Sequence, residues 1–145
     1  VSDSDQNALY PFEVVVEGTP ISLQGSGTSK ERWKATVKTA GQNRARATDE
    51  IGFLYSAPVA LTIFYLAAAP MVGDVDNIVK PIMDALINVA YADDRFVERV
   101  IVQKFEPGVD WEFIDPSDQL ATALEATPPV VYIRVIDDLS WRQAQ

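Results

Sequence analysis

The sequence predicts an α+β fold: a single domain with one mixed β-sheet and helices packed on it, in the order βαβαβ(α)β. Three observations carry this prediction. Segments rich in β-branched residues alternate with segments whose apolar residues recur at helical spacing. One segment, Val59–Leu66, is apolar almost throughout, as expected of a strand buried on both faces. The chain has 145 residues, the size of one domain, and no repeat or linker divides it.

The elements follow in order. Residues 1–10 are expected to be flexible, and the first strand is Phe12–Glu17, closed by Gly18-Thr19-Pro20. Gly25-Ser26-Gly27 reads as a loop. Thr28 and Glu31 have capping-box spacing, so a helix is expected to begin there. Trp33, Val37 and Ala40 share its inner face, and Gly41 is expected to end it. After the central strand Val59–Leu66, a second helix is predicted from near Asp76 to Ala90. Ile78, Ile82, Leu86 and Val89 form its buried stripe. Pro81 lacks a backbone donor, so it belongs near the first turn or marks a slight kink. Arg99–Phe105 and Val130–Ile136 read as the last two strands. Between them, residues 106–129 form an acidic insertion with a short helix. That helix opens at Asp115-Pro116-Ser117-Asp118 and stops before Pro128-Pro129. Trp111, Phe113 and Trp141 are expected in the core or at an interface.

Composition excludes several chemistries. There is no cysteine and no histidine, which removes disulfides, zinc fingers, thiol nucleophiles and histidine bases together. The opening Val1–Asn7 has neither the basic nor the apolar region of a secretory signal. The apolar stretch 57–72 is broken by Pro58 and Pro70 and is shorter than the roughly 18 apolar residues of a membrane span. A cytoplasmic protein with no membrane partner is the expectation.

Charge is divided unevenly. The chain carries −9 overall, which by itself argues against nucleic-acid binding. Yet six of its twelve basic residues fall between positions 30 and 46, opposed only by Glu31. That segment carries +5 and the remainder −14. Lys30, Lys34 and Lys38 recur every fourth residue and so share a helix face, with Arg44 and Arg46 following. Such a stripe is either a solvated face or a track of phosphate contacts.

The residues that bear chemistry cluster in two short segments. The first runs Gly73-Asp74-Val-Asp76-Asn77-Ile-Val-Lys80, then Asp84-Ala-Leu86; the second holds Asp93-Asp94. On an extended backbone Asp74 and Asp76 point to one side. They meet Asp93-Asp94 only if the following strand folds back beside the strand that ends before Pro70. Alone, an Asp-x-Asp before a helix is an N-cap and an Asp-Asp pair is a turn. Brought together without histidine or cysteine, these carboxylates would form a hard oxygen site suited to Mg²⁺ or Mn²⁺. Lys80 could reach a phosphate or an attacking water at its edge.

The order Asp-x-Asp-Asn-x-x-Lys-x-x-x-Asp-Ala-Leu, then Asp-Asp-x-x-Val, resembles the RusA-type Holliday junction resolvases over Asp74–Val97. The resemblance implies a Mg²⁺-dependent endodeoxyribonuclease that works as a homodimer on branched, four-way DNA. It implies that Asp74, Asp76 and Asp94 hold metal and that Lys80 is catalytic. Asn77, Asp84 and Asp93 also match and support the set. With such a site elsewhere, Lys30, Lys34, Lys38, Arg44 and Arg46 become candidates for DNA binding. The chain departs from the family near Pro20-Ile-Ser22-Leu-Gln24, where arginines are missing, and in its acidic 106–129 segment. Two other readings stand beside this one: a non-catalytic member of the same fold that binds nucleic acid or protein, and an acidic interaction domain.

Overall fold

The computed structural model describes residues 10–21, 26–47 and 57–143. Strands β1 (Phe12–Glu17), β2 (Val59–Leu66), β3 (Val97–Phe105) and β4 (Val130–Ile136) form one sheet in the order β1-β4-β2-β3. β4 runs antiparallel to both β1 and β2, while β3 runs parallel to β2. The sheet is therefore mixed, and the fold is α+β as the sequence implied. β2 lies inside the sheet, with Val59, Leu61 and Ile63 inaccessible to solvent, in keeping with its apolar run.

Helices α1 (Gly27–Ala47), α2 (Val79–Ala85) and α3 (Asp118–Glu125) cover the two faces. The larger core lies under α1 and α2. There Trp33 and Val37 meet Ile78, Ile82 and Leu86 above Val14, Leu61, Ile63 and Ile133. The smaller core lies under α3, where Ala123 joins Leu66, Phe105, Val130 and Tyr132. Helices thus sandwich the sheet. Phe113 and Trp111 extend the smaller core by ring contacts to Phe105, with centroids 5.1 and 5.0 Å away. Phe113 packs there as expected, whereas Trp111 touches Phe105 from the rim and stays 41% exposed.

Four expectations need correction. α1 starts one residue before Thr28, and its cap is Ser26, whose Oγ accepts from the Ser29 N–H at 3.1 Å. Glu31 turns to Lys34 instead of closing a capping box. Gly41 does not end α1, which continues to Ala47; a Cβ there would lie 2.8 Å from Val89 Cγ1. It is a point of close helix approach, and a glycine read as a stop signal was a packing residue. The second helix is shorter than predicted: a 3₁₀ turn, Val75–Ile78, leads into α2. Pro81 occupies the third position of α2, where its missing donor costs nothing. Beyond Leu86 the chain turns through Asn88 at φ 63°, a conformation that asparagine tolerates and that breaks the helical path. α3 is capped by Ser117, not Asp115, with the Leu120 N–H donating to Ser117 Oγ at 3.1 Å.

The chain's start is better held than expected at one point. Tyr10 is buried, and its hydroxyl donates to the Ala90 carbonyl at 2.6 Å; residues 1–9 lie outside the described residues. No helix among the described residues is long and apolar enough to cross a membrane.

Candidate active site

The site is built on the crossover that joins β2 to β3. Parallel neighbours cannot be joined by a hairpin, so the chain leaves the end of β2, crosses over through α2, and re-enters beside Val59. The following strand does lie beside β2, but parallel to it and reached by a crossover, not by a hairpin-like return. It has a direct consequence for the acids. Asp74 follows the exit of β2, whereas Asp93 and Asp94 precede the entry of β3, so one crossover carries them all.

Glu106 shapes the exit loop. Its Oε2 accepts from the Met71 N–H at 2.7 Å and lies 3.3 Å from Lys104 Nζ. The Met71 bond, then Lys104, hold the Glu106 carboxyl below the ordinary glutamate range. The sequence placed Glu106 only at the start of an acidic insertion; nothing in its spacing pointed to Met71. Asp74 takes the N-cap position of the 3₁₀ turn, with φ −97° and ψ 144°, although its side chain makes no capping bond. Asp76 sits within that turn, so it does not share an extended backbone with Asp74. Both carboxylates are exposed; Asn77 is partly buried beside them.

Lys80 is the centre of the charged arrangement. Its Nζ lies 2.5 Å from Asp94 Oδ2 and 2.9 Å from Asp84 Oδ1. Hydrogen bonds to Asp94 first and Asp84 second hold the ammonium well above the ordinary lysine pKa. The same ammonium, helped by Asp93, pulls the Asp94 carboxyl down. Asp93 itself caps the turn Asp94–Phe96, accepting from the Arg95 N–H at 3.2 Å. Behind the pair, the Tyr91 hydroxyl donates to the Met83 carbonyl at 2.7 Å. Burial, then the charges of Asp94 and Asp84, push that phenol far up, so it stays neutral.

The basic residues of α1 divide between roles. Lys34 reaches Glu31 at 3.4 Å and Asp84 at 3.8 Å, so it faces the acid pair. Arg44 Nε donates to the Glu13 carbonyl at 2.9 Å, tying α1 to β1. Arg46 bonds Asn43. Lys38 is exposed and Lys30 half-buried. Lys80 with Asp84 was legible as an i, i+4 pair on one helix; Lys34 with Asp84 joins two helices and was not.

All the candidate donors are carboxylate oxygens, which suit Mg²⁺ or Mn²⁺ in kind. Among the described residues, no three acidic side chains stand together closely enough to hold one ion. Asp74 and Asp76 at the 3₁₀ turn and Asp94 before β3 therefore do not form a closed three-acid cluster in this structure. What is assembled is an ammonium held between two carboxylates.

The site is thus an acid-rich, lysine-centred crossover on an α+β sheet, in a chain with neither histidine nor cysteine. Comparison with family models makes this particular. The model described as RusA, endodeoxyribonuclease RusA, matches residues 28–110, more than half of the chain. The chain belongs to the RusA endodeoxyribonuclease family. The match runs from α1 through β3 and so takes in every residue of the charged crossover, while β1, α3 and β4 lie outside it. No curated protein matches the sequence.

Proposed function

We propose that this protein is a Mg²⁺-dependent endonuclease that nicks four-way DNA junctions, with Asp74, Asp76 and Asp94 as the metal-holding acids. The observation that carries the reading is the Lys80–Asp94 contact at 2.5 Å, on a crossover that the family match spans in full. An ammonium and a carboxylate so close together offer a phosphate both a cationic contact and an oxygen donor. The Asp94 carboxylate, kept ionised by Lys80, stays available as a donor at neutral pH. Asp74 and Asp76, exposed on a short turn, are free to swing toward a cation shared with Asp94. A bound Mg²⁺ would supply charge for a phosphoryl oxygen and a more acidic water. Lys80 would contact the phosphate as it gains charge.

On this reading the whole chain, 1–145, acts as one RusA-like domain. Two copies act as a homodimer, because incisions placed symmetrically across a two-fold junction need two sites related by a dyad. Lys30, Lys34, Lys38, Arg44 and Arg46 of α1 are the candidates for contacts along the DNA backbone, with Lys38 exposed and Arg44 and Arg46 bonded to Glu13 and Asn43. The site of action is the cytoplasm, where such a DNA would be met.

The test incubates the protein with a synthetic four-way junction and with linear duplex of the same sequence, each with and without Mg²⁺. Paired nicks confined to the junction and to Mg²⁺ are expected. Equal cutting of both DNAs would sink junction selectivity; cutting without any divalent metal would sink the Mg²⁺ dependence.

A further inference from the structure

We propose that the cavity between the start of α1 and the loop after β2 receives one unpaired nucleotide of the DNA substrate, its base against the apolar walls and its phosphate at the end of α1. The inference rests on the nuclease reading above and adds to it a feature that distinguishes branched from linear DNA.

The cavity measures about 450 Å³, within the range of small-molecule sites. Pro20, Ile21, Pro70, Met71 and Ile78 give it apolar walls, which suit the faces of a flat ring. No acidic side chain among the described residues lines it, in a chain that holds 21 acids. Tyr65 also lines it. That side chain is only 4% exposed, yet its hydroxyl hydrogen-bonds to no described residue. A buried tyrosine hydroxyl ordinarily has a partner, so this one is left for whatever enters the cavity, and it can meet a base edge as donor or acceptor. Thr19, Ile21 and Ser29 are shared with a smaller neighbouring cavity of about 250 Å³, where Trp33 Nε1 is buried and likewise unpartnered.

The end of α1 adds a place for negative charge. Ser26 accepts from the Ser29 N–H at its Oγ and from the Lys30 N–H at its carbonyl, at 3.1 and 2.9 Å. The Gly27 and Thr28 N–H groups have no partner inside the helix, as its first turn requires. No acid stands in that turn, and a Cβ at Gly27 would meet nothing within 4 Å, so a phosphate can approach closely. Position supplies the link to the substrate. Residues 68–72 of the cavity wall lead directly to Asp74, and Ile78 ends the 3₁₀ turn that holds Asp76. A paired and stacked base cannot enter such a space; it must first leave the helix, at least cost where pairing is already weakened. The branch of a four-way junction offers that, and linear duplex does not.

The test uses wild type, Tyr65→Phe and Ala69→Leu, the last narrowing the cavity from an exposed position. Without metal, at least one of the four deoxynucleoside 5′-monophosphates at millimolar concentration should shift the amide signals of residues 26–29 and 68–72. Tyr65→Phe should bind it about three- to tenfold more weakly, the range of one hydrogen bond. Its melting temperature should not fall, since the lost hydroxyl has no partner in the fold. Ala69→Leu should also bind more weakly. A 2-aminopurine at the branch of a four-way junction should brighten when wild type is added, brighten less with Ala69→Leu, and stay dim in linear duplex.

Shifts from inorganic phosphate alone that equal those from every mononucleotide would overturn the proposal. So would wild-type affinity in both variants, or a lower melting temperature in Tyr65→Phe. A protein that cuts junctions in Mg²⁺ but neither binds mononucleotides nor brightens the probe sinks this inference and leaves the nuclease reading intact. One that binds and brightens but cuts nothing in Mg²⁺ does the reverse.

Discussion

Glu98, the second residue of β3, gathers the C-terminal turn Ser140–Arg142 onto the sheet edge. It accepts from Trp141 Nε1 and from Arg142 Nη2 at 2.6 Å and Nε at 2.9 Å. Arg142 first, and Trp141 second, lower its carboxyl from 4.5 to about 2. A depressed folded value means that the interaction is complete above pH 4.5 and is lost as pH falls toward 2. The groups are exposed, so the loss is local undocking and not unfolding. In a Trp111→Phe background, where buried Trp33 is the one other tryptophan, the fluorescence is expected to change near pH 2 as Trp141 is released, and Glu98→Gln should remove that step. A step centred near pH 4.5, or one that survives Glu98→Gln, would contradict the assignment. Individual residues were legible where spacing alone decides: Lys80 with Asp84, and Ile78, Ile82, Leu86 and Val89 as one buried stripe. Residues whose partners lie far along the chain were not. Glu13 illustrates this, since Ser117 and Tyr132 both donate to it from more than a hundred positions away.

At the scale of elements, all four strands lay where β-branched runs put them, because a strand's apolar pattern is set by the sheet it enters. Helix ends fared worse, since each is decided by tertiary contact. Gly41 shows the competition most clearly. Alanine there would gain roughly 1 kcal/mol in helix propensity. The added Cβ, however, would meet Val89 Cγ1 at 2.8 Å and Leu86 Cδ2 at 3.5 Å. Overpacking of this kind costs about 1–3 kcal/mol, so it should outweigh the propensity gain. Gly41→Ala is expected to lower the melting temperature, and adding Val89→Ala should recover part of the loss. Stabilisation by Gly41→Ala alone would show that α1 and the Leu86–Val89 turn can separate freely, and the close-approach account would fail.

At the scale of the whole molecule, the parallel pairing of β2 with β3 governs both the fold and the site. The sequence held the motif from Asp74 to Asp94 in full, and with it the family to which the chain belongs. It did not hold the direction of β3, because both parallel and antiparallel neighbours present apolar runs to one core. That direction makes one crossover carry the whole stretch from Asp74 to Asp94 and puts Lys80 beside Asp94. The acidic 106–129 segment also acquires a plain structural role, since α3 within it covers the second face of the sheet. Under the proposed function Asp74 acts in chemistry and not in folding or DNA capture. Its side chain is exposed and makes no capping bond, so its replacement should leave the fold unchanged. The most direct measurement compares wild type and Asp74→Asn on one labelled four-way junction, scoring binding without metal and cleavage with Mg²⁺. Binding as strong as wild type or stronger is expected, with cleavage reduced roughly a hundredfold or more. Cleavage at the wild-type rate by a variant that binds normally would contradict it.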